Sequence, residues 1–132
     1  MATMDDPAVR RLLDGGSHAV LSTVADDGSI HSTVVWIDVQ DGRPAVNGAV
    51  GRKWPANLER EPRATVLVYD EGNPYEYVEI RGRATGTTQG ADAHIDRLAK
   101  KYLGADSYPF RQPGEQRITY LVEPTSVRHQ KQ

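Results

Sequence analysis

Cysteine is absent from the 132 residues. That excludes a disulfide framework, a thiolate zinc site and a cysteine nucleophile. Long apolar runs are also missing. None approaches the ~20 residues of a membrane-spanning helix, and the opening MATMDDPAVRR has no apolar signal core. Neither sign of charge dominates: 16 Lys and Arg face 18 Asp and Glu, for a net charge of −2, so no overall field draws in nucleic acid. Histidine is sparse, and no two of His18, His31, His94 and His129 stand at i, i+4, which argues against a metal site. Ser22, Ser32 and Thr33 have no His–Asp partner pattern, so hydrolase chemistry lacks support. Repeats, low-complexity segments and linkers are lacking too. The expectation is one soluble, cytoplasmic domain over residues 7–127 with a polar tail, 128–132, and no nucleic-acid or membrane partner.

What is present is clear punctuation. DDPAVRRLLDGG reads as a short helix, with Asp before Pro at its start and Gly15-Gly16 at its stop. SHAVLSTVADDGSIHSTVVWIDVQDGRPAVNGA reads as three strands, because Asp27-Gly28 and Asp41-Gly42 separate β-branched runs. Asp26, Asp27 and Asp41 are therefore turn formers without a catalytic role. A helix is expected at about 53–60, ended by Pro62. RATVLVYD and YEYVEIRGRATGT are two further strands, and Gly82 inside the second marks a bend or bulge. GADAHIDRLAKKYLG is a helix with Ile95, Leu98, Ala99 and Tyr102 on one face and Gly104 as its stop. ITYLVEPTSV is the last strand. Six short strands joined by hairpins, with too few helices for alternating strand–helix units, predict a mostly β fold with short helices: a small antiparallel barrel.

The stretch GAVGRKWPANLEREPRA stands out. Pro55 suits a first helical turn, where the N–H it lacks has no partner. Yet Arg52 and Lys53 place two cations at a helix end that already carries partial positive charge. That arrangement makes sense if an anion sits there. Free backbone N–H groups form the base of such a site, Arg52 adds a fork that grips phosphate oxygens, and Lys53 adds a point charge. Gly51 lets the backbone come close, and the small residues that end PAVNGA leave space beside the anion. The reading is a phosphate-bearing ligand at Arg52 and Lys53; the alternative is a solvated pair screened by Glu59 and Glu61.

GRKWPANLEREPRATVLVYDEGNPYEYVEIRGRAT, followed by HIDRLAKKYLGADSYPF, resembles the flavin/deazaflavin oxidoreductase group B. These are small actinobacterial members of the pyridoxamine 5′-phosphate oxidase-like split β-barrel superfamily. The resemblance covers about residues 7–127. It implies a six-stranded antiparallel split β-barrel, a homodimer with cofactor sites at its interface, and F420, with FMN the alternative. It implies hydride transfer between reduced deazaflavin and a small conjugated substrate. By the same resemblance the phosphate site falls on Arg52 and Lys53, beside Gly51. Trp54 stands where many relatives carry a further basic residue, and Asn57 falls at a helix position near the site. The ring-flanking strand falls on Ser32, Thr33, Val34, Val35 and Trp36, and the floor beneath the ribityl chain on Asn47, Gly48 and Ala49. Many relatives have Pro where Ile30 stands.

F420 has a polyglutamate tail, so Arg81, Arg83, Lys101 and Arg111 are candidates for a basic rim. Tyr75 and Tyr77 share a strand face, suited to core or dimer packing or to stacking on a ring. His31 lies beside the ring strand as a surface residue that could face substrate. No obligate acid–base residue is expected, since the ring does the chemistry and a backbone N–H or the Thr33 hydroxyl suffices to polarise it. Two rivals remain: an FMN-dependent enzyme of the pyridoxamine phosphate oxidase type, and a non-catalytic protein that binds flavin, deazaflavin or haem, with His18 and His31 as candidate haem ligands.

Overall fold

Seven strands and three helices alternate along the chain of the computed structural model, which describes residues 2–132. In order they are α1 (Pro7–Asp14), β1 (Ala19–Val24), β2 (Ile30–Val35), β3 (Asp38–Gln40), β4 (Arg43–Ala49), α2 (Lys53–Arg60), β5 (Arg63–Asp70), β6 (Asn73–Thr87), α3 (Ala91–Leu103) and β7 (Arg117–Gln130). All pairings are antiparallel, in one sheet of order β2-β1-β5-β6-β7-β4-β3. The end strands β2 and β3 are consecutive in the chain, with only Trp36 and Ile37 between them. The sheet therefore curls until its two ends meet at that corner without pairing. This is the split barrel.

Inward positions alternate along each strand, as Ala19, Leu21 and Thr23 do on β1. They join Val66, Val68, Val78, Ile80, Val122 and Tyr120 in the core. α1 closes one side with Val9, Leu12 and Leu13, and α2 adds Leu58. α3 packs outside on β4 and β7, burying Ile95, Leu98 and Ala99 as the helical spacing predicts. Both Asp-Gly pairs form the expected turns; Asp41 and Gly42 take φ 53° and 73°, as a two-residue hairpin requires. The bulge expected at Gly82 is a register shift between Arg81 and Gly82.

Two expectations change. The segment Ile30–Gln40, expected as one strand, breaks at Trp36–Ile37, so there are seven strands rather than six. The cause is α3. Ile37 N–H donates to the Tyr102 hydroxyl at 3.2 Å, and the Ile37 carbonyl accepts from Lys101 Nζ at 2.5 Å. These side chains hold the backbone groups that a flanking strand would otherwise pair. At the other end, residues 128–130, expected in a polar tail, continue β7. Arg128, His129 and Gln130 pair with β6, and His129 Nε2 lies 2.8 Å from the buried carboxylate of Glu76.

Candidate functional site

The turn between β4 and α2 sets up the site. Arg52 N–H donates to the Ala49 carbonyl at 3.1 Å, and Gly51 takes φ +88°, a left-handed conformation that glycine adopts without strain. The chain then enters α2 with Arg52 as N-cap and Lys53 as first helical residue. No side chain caps this end. The first turn leaves the Lys53 and Trp54 N–H groups without helical acceptors, and Pro55 has none to leave.

An open cleft of about 600 Å³ lies beside this helix start. Thr33, Val34, Val35 and Trp36, on and just beyond β2, whose outer edge is free, form one wall. Asn47, Gly48 and Ala49 form the floor, and Arg52, Lys53 and Trp54 the α2 side. His18, His31, Ile95, Tyr108, Phe110 and Arg117 complete it. Aromatic contacts stiffen the far wall: Trp36 stacks on Tyr102 at 5.4 Å, and Tyr108 meets both Trp36 and Phe110 edge-on.

Charge in the cleft is lopsided. Arg52, Lys53 and Arg117 are cations, and one carboxylate, Glu115, braces two of them. Arg117 Nη1 lies 2.7 Å from Glu115 Oε1, and Arg52 Nη2 lies 3.5 Å from Oε2. Arg117 is buried, donates Nε–H to Asn47 Oδ1 at 2.9 Å, and lies 5.1 Å above the Tyr108 ring. Arg52 and Lys53 are exposed. His31 Nδ1 is buried in the wall with no hydrogen-bond partner among the described residues. An excess of cations, an aromatic wall, a free strand edge and an orphaned imidazole nitrogen fit a phosphorylated ring compound.

Most of the residues singled out in the sequence come together here: Thr33, Val34, Val35, Trp36, Asn47, Gly48, Ala49, Arg52, Lys53 and Trp54. Three do not. Ser32 shares the outward face of β2 with Val34 but does not line the cleft; its hydroxyl lies 2.9 Å from Ser22 Oγ. Gly51 shapes the turn without lining the cleft. Asn57 is buried under α2, its amide donating to Thr23 Oγ1 at 3.1 Å. Nor does Gly48 leave space for an anion. A Cβ there would meet Trp54 Cζ2 at 2.5 Å and Pro55 Cγ at 2.9 Å, so the indole fills that room.

The expected basic rim is dispersed. Lys101 Nζ donates to the Leu13 and Ile37 carbonyls, and burial pushes its pKa down. Arg111 pairs with Asp92 and Asp96. Arg81 pairs with Glu79 on the outer sheet face, beside Arg83. Tyr75 points outward and is 67% exposed, and Tyr77 shares that face, which excludes a core role for the pair. His31, expected at the surface, belongs to the cleft. Arg117 and Glu115 carried no local signal. They reach the site because β7 pairs with β4, Arg117 opposite Ala49. No group of three or more His, Asp or Glu suited to a metal occurs among the described residues.

No curated protein sequence matches the chain. Among solved structures it is similar to an F420 reductase, with 24% identity over 90% of this chain and 94% of the other and a TM-score of 0.78. It is similar to a conserved hypothetical protein from Mycobacterium tuberculosis, with 19% identity, 98% and 86% coverage and a TM-score of 0.76. It is also similar to a putative pyridoxamine 5′-phosphate oxidase from Listeria innocua, with 18% identity, 85% and 86% coverage and a TM-score of 0.62. At these identities the likeness concerns the fold. The sequence description of pyridoxamine 5′-phosphate oxidase matches residues 5–131. With that match over nearly its whole length, and with a seven-stranded split barrel beneath it, the chain belongs to the pyridoxamine 5′-phosphate oxidase family.

Proposed function

We propose that this protein is an F420-dependent reductase of small conjugated molecules, with F420 held by its phosphate at Arg52, Lys53 and Arg117. The observation that carries the reading is the convergence of three cations on one cleft beside a free strand edge, at an uncapped helix start. The structural likeness to an F420 reductase supports the deazaflavin over FMN.

When bound, the cofactor supplies hydride transfer at its ring. The chain's own residues bind, orient and shield. Arg52 and Lys53 neutralise phosphate at the cleft mouth, and the buried Arg117 fixes where the anion stops. The backbone edge of β2 and the Thr33 hydroxyl offer donors and acceptors to the polar rim of a ring. Trp36, Tyr108 and Phe110 exclude water from one side.

The other side is open. Val34 lines the cleft and is 66% exposed, and Ile30, Tyr69 and Tyr75 extend an exposed apolar face beyond it. A second copy of the chain covers this face and completes the site, giving a homodimer.

Two titrations test the function. F420 is expected to bind more tightly than FMN at low salt, because its tail carboxylates add negative charge beyond the shared phosphate, within the field of the cleft's surplus cations. The gap narrows as salt rises, since exposed charges are screened beyond about 8–10 Å. Tighter FMN binding at both salts moves the assignment to an FMN-dependent oxidase; binding of neither removes it.

A further inference from the structure

Behind the cleft floor runs a chain of polar side chains that ligand binding alone does not call for. His94 on α3 is only 1% exposed. Its Nε2 lies 2.8 Å from Asp38 Oδ1, and its Nδ1 lies 2.8 Å from Thr119 Oγ1 and 3.2 Å from Asn47 Nδ2. The roles of these atoms follow from Asn47. Arg117 Nε–H can only donate, so the Asn47 atom 2.9 Å away is the carbonyl oxygen. The Ala91 carbonyl can only accept, so the Asn47 atom 2.9 Å from it is the amide nitrogen. These contacts identify the amide's two ends, and its remaining N–H is directed at His94 Nδ1 and Thr119 Oγ1. A ring nitrogen that faces an amide N–H is an acceptor. With Nδ1 as the acceptor of that N–H, the ring proton lies on Nε2, 2.8 Å from Asp38 Oδ1.

We infer that His94 is a positioning residue of the cleft: as the acceptor for Asn47 it locks the amide whose oxygen aims the Arg117 guanidinium at the ligand. The inference rests on the reading of the cleft as an anion-binding cofactor site. Asn47 and Arg117 both line the cleft, and His94 does not. A flipped Asn47 amide would set its NH2 against the Arg117 Nε–H, donor to donor. With Nδ1 as acceptor, the network has one arrangement in which every buried group is satisfied.

Two variants separate positioning from packing support. In His94→Asn the side-chain oxygen stands one bond from Cγ, where Nδ1 stands, and keeps an acceptor for Asn47. In His94→Gln the amide nitrogen reaches toward Asp38 and that acceptor is lost. The first readout needs no cofactor: the NMR signal of Arg117 Nε–H, slowly exchanging while the bond to Asn47 holds. It is expected to persist in the wild type and His94→Asn and to vanish in His94→Gln. Affinity for F420 and FMN should follow, staying within about twofold in His94→Asn and falling roughly tenfold in His94→Gln, the scale of one hydrogen bond to a charged group. Retention of the Nε–H signal in both variants, or its loss in both, overturns the inference. So does an Nδ1–H tautomer in the wild type, read by histidine ¹⁵N shifts, which decides the matter even if a variant fails to fold. If the signals behave as expected while the wild type binds neither cofactor, the positioning stands and the cofactor reading falls.

Discussion

Arg52 and Asn57 lie on the same short helix segment with opposite fates. Arg52, exposed at the cleft mouth, is the residue proposed to grip the ligand's phosphate. Arg52→Ala is expected to weaken binding of F420 or FMN by roughly 1.5–3 kcal/mol, toward the lower end in salt. Arg52→Lys should also lose affinity, because it removes the fork. Wild-type affinity of Arg52→Ala in calorimetric titration would contradict the anion site. Asn57 acts on the fold. Asn57→Leu leaves the buried Thr23 hydroxyl without its partner, so denaturant unfolding should show a loss of about 1–3 kcal/mol. Cofactor affinity measured on the folded variant should not change; a change there would return Asn57 to the site.

The elements are held at their ends by ion pairs that the sequence does not announce. α1 is tied to the sheet by Arg11, which donates to Asp70 at 3.1 Å and to the buried Glu76 at 2.7 Å. The His129 contact and the Arg11 guanidinium hold the Glu76 carboxyl below its ordinary range, and the Gly72 N–H and Arg11 do the same for Asp70. Both folded-state pKa values lie below the unfolded ones, so the unfolded chain takes up protons first as the pH falls. Their stabilisation is full above the usual carboxylate range and drains away as the pH drops from about 4.5 downward. Melting temperature measured against pH should therefore fall steeply on the acid side, and Glu76→Gln should lower the neutral plateau and flatten that limb. An unchanged acid limb would show that the pair does not couple to folding. Element positions were largely legible because their signals are local: Asp-Gly for hairpins, Pro55 and Pro62 around α2, and the apolar spacing of α3. The break at Trp36–Ile37 was not, because Lys101 and Tyr102 impose it from far along the chain. Arg117 was missed for the same reason, since only strand pairing brings it beside Ala49.

At the scale of the whole molecule, one face of the barrel is unfinished. Ile30 and Val34 stand exposed on the edge strand β2, and Tyr69 and Tyr75 stand exposed on β5 and β6; such an edge needs cover. Light scattering at micromolar concentration is expected to give a dimer, and Ile30→Asp to give a monomer that also binds cofactor more weakly. A stable wild-type monomer would rule out the shared site. The cleft residues between Thr33 and Trp54 were readable because they lie in two short stretches. Of the exposed apolar face, only Tyr75 and its strand neighbour Tyr77 were readable, as a pair suited to packing.

The strand order carries a consequence for how the molecule comes into being. β7 follows all other strands in the chain yet sits inside the sheet, between β6 and β4. Until it is in place, β3 and β4 pair with none of the other strands, and the hairpin that carries the cleft floor rests only on its packing against the helices. During synthesis the earlier segments wait with two raw edges exposed, and folding is governed by a late insertion across distant parts of the chain, the kind of closure that is slow. The same insertion delivers Arg117. A nascent chain therefore completes its barrel and gains the innermost cation of the proposed site in a single event.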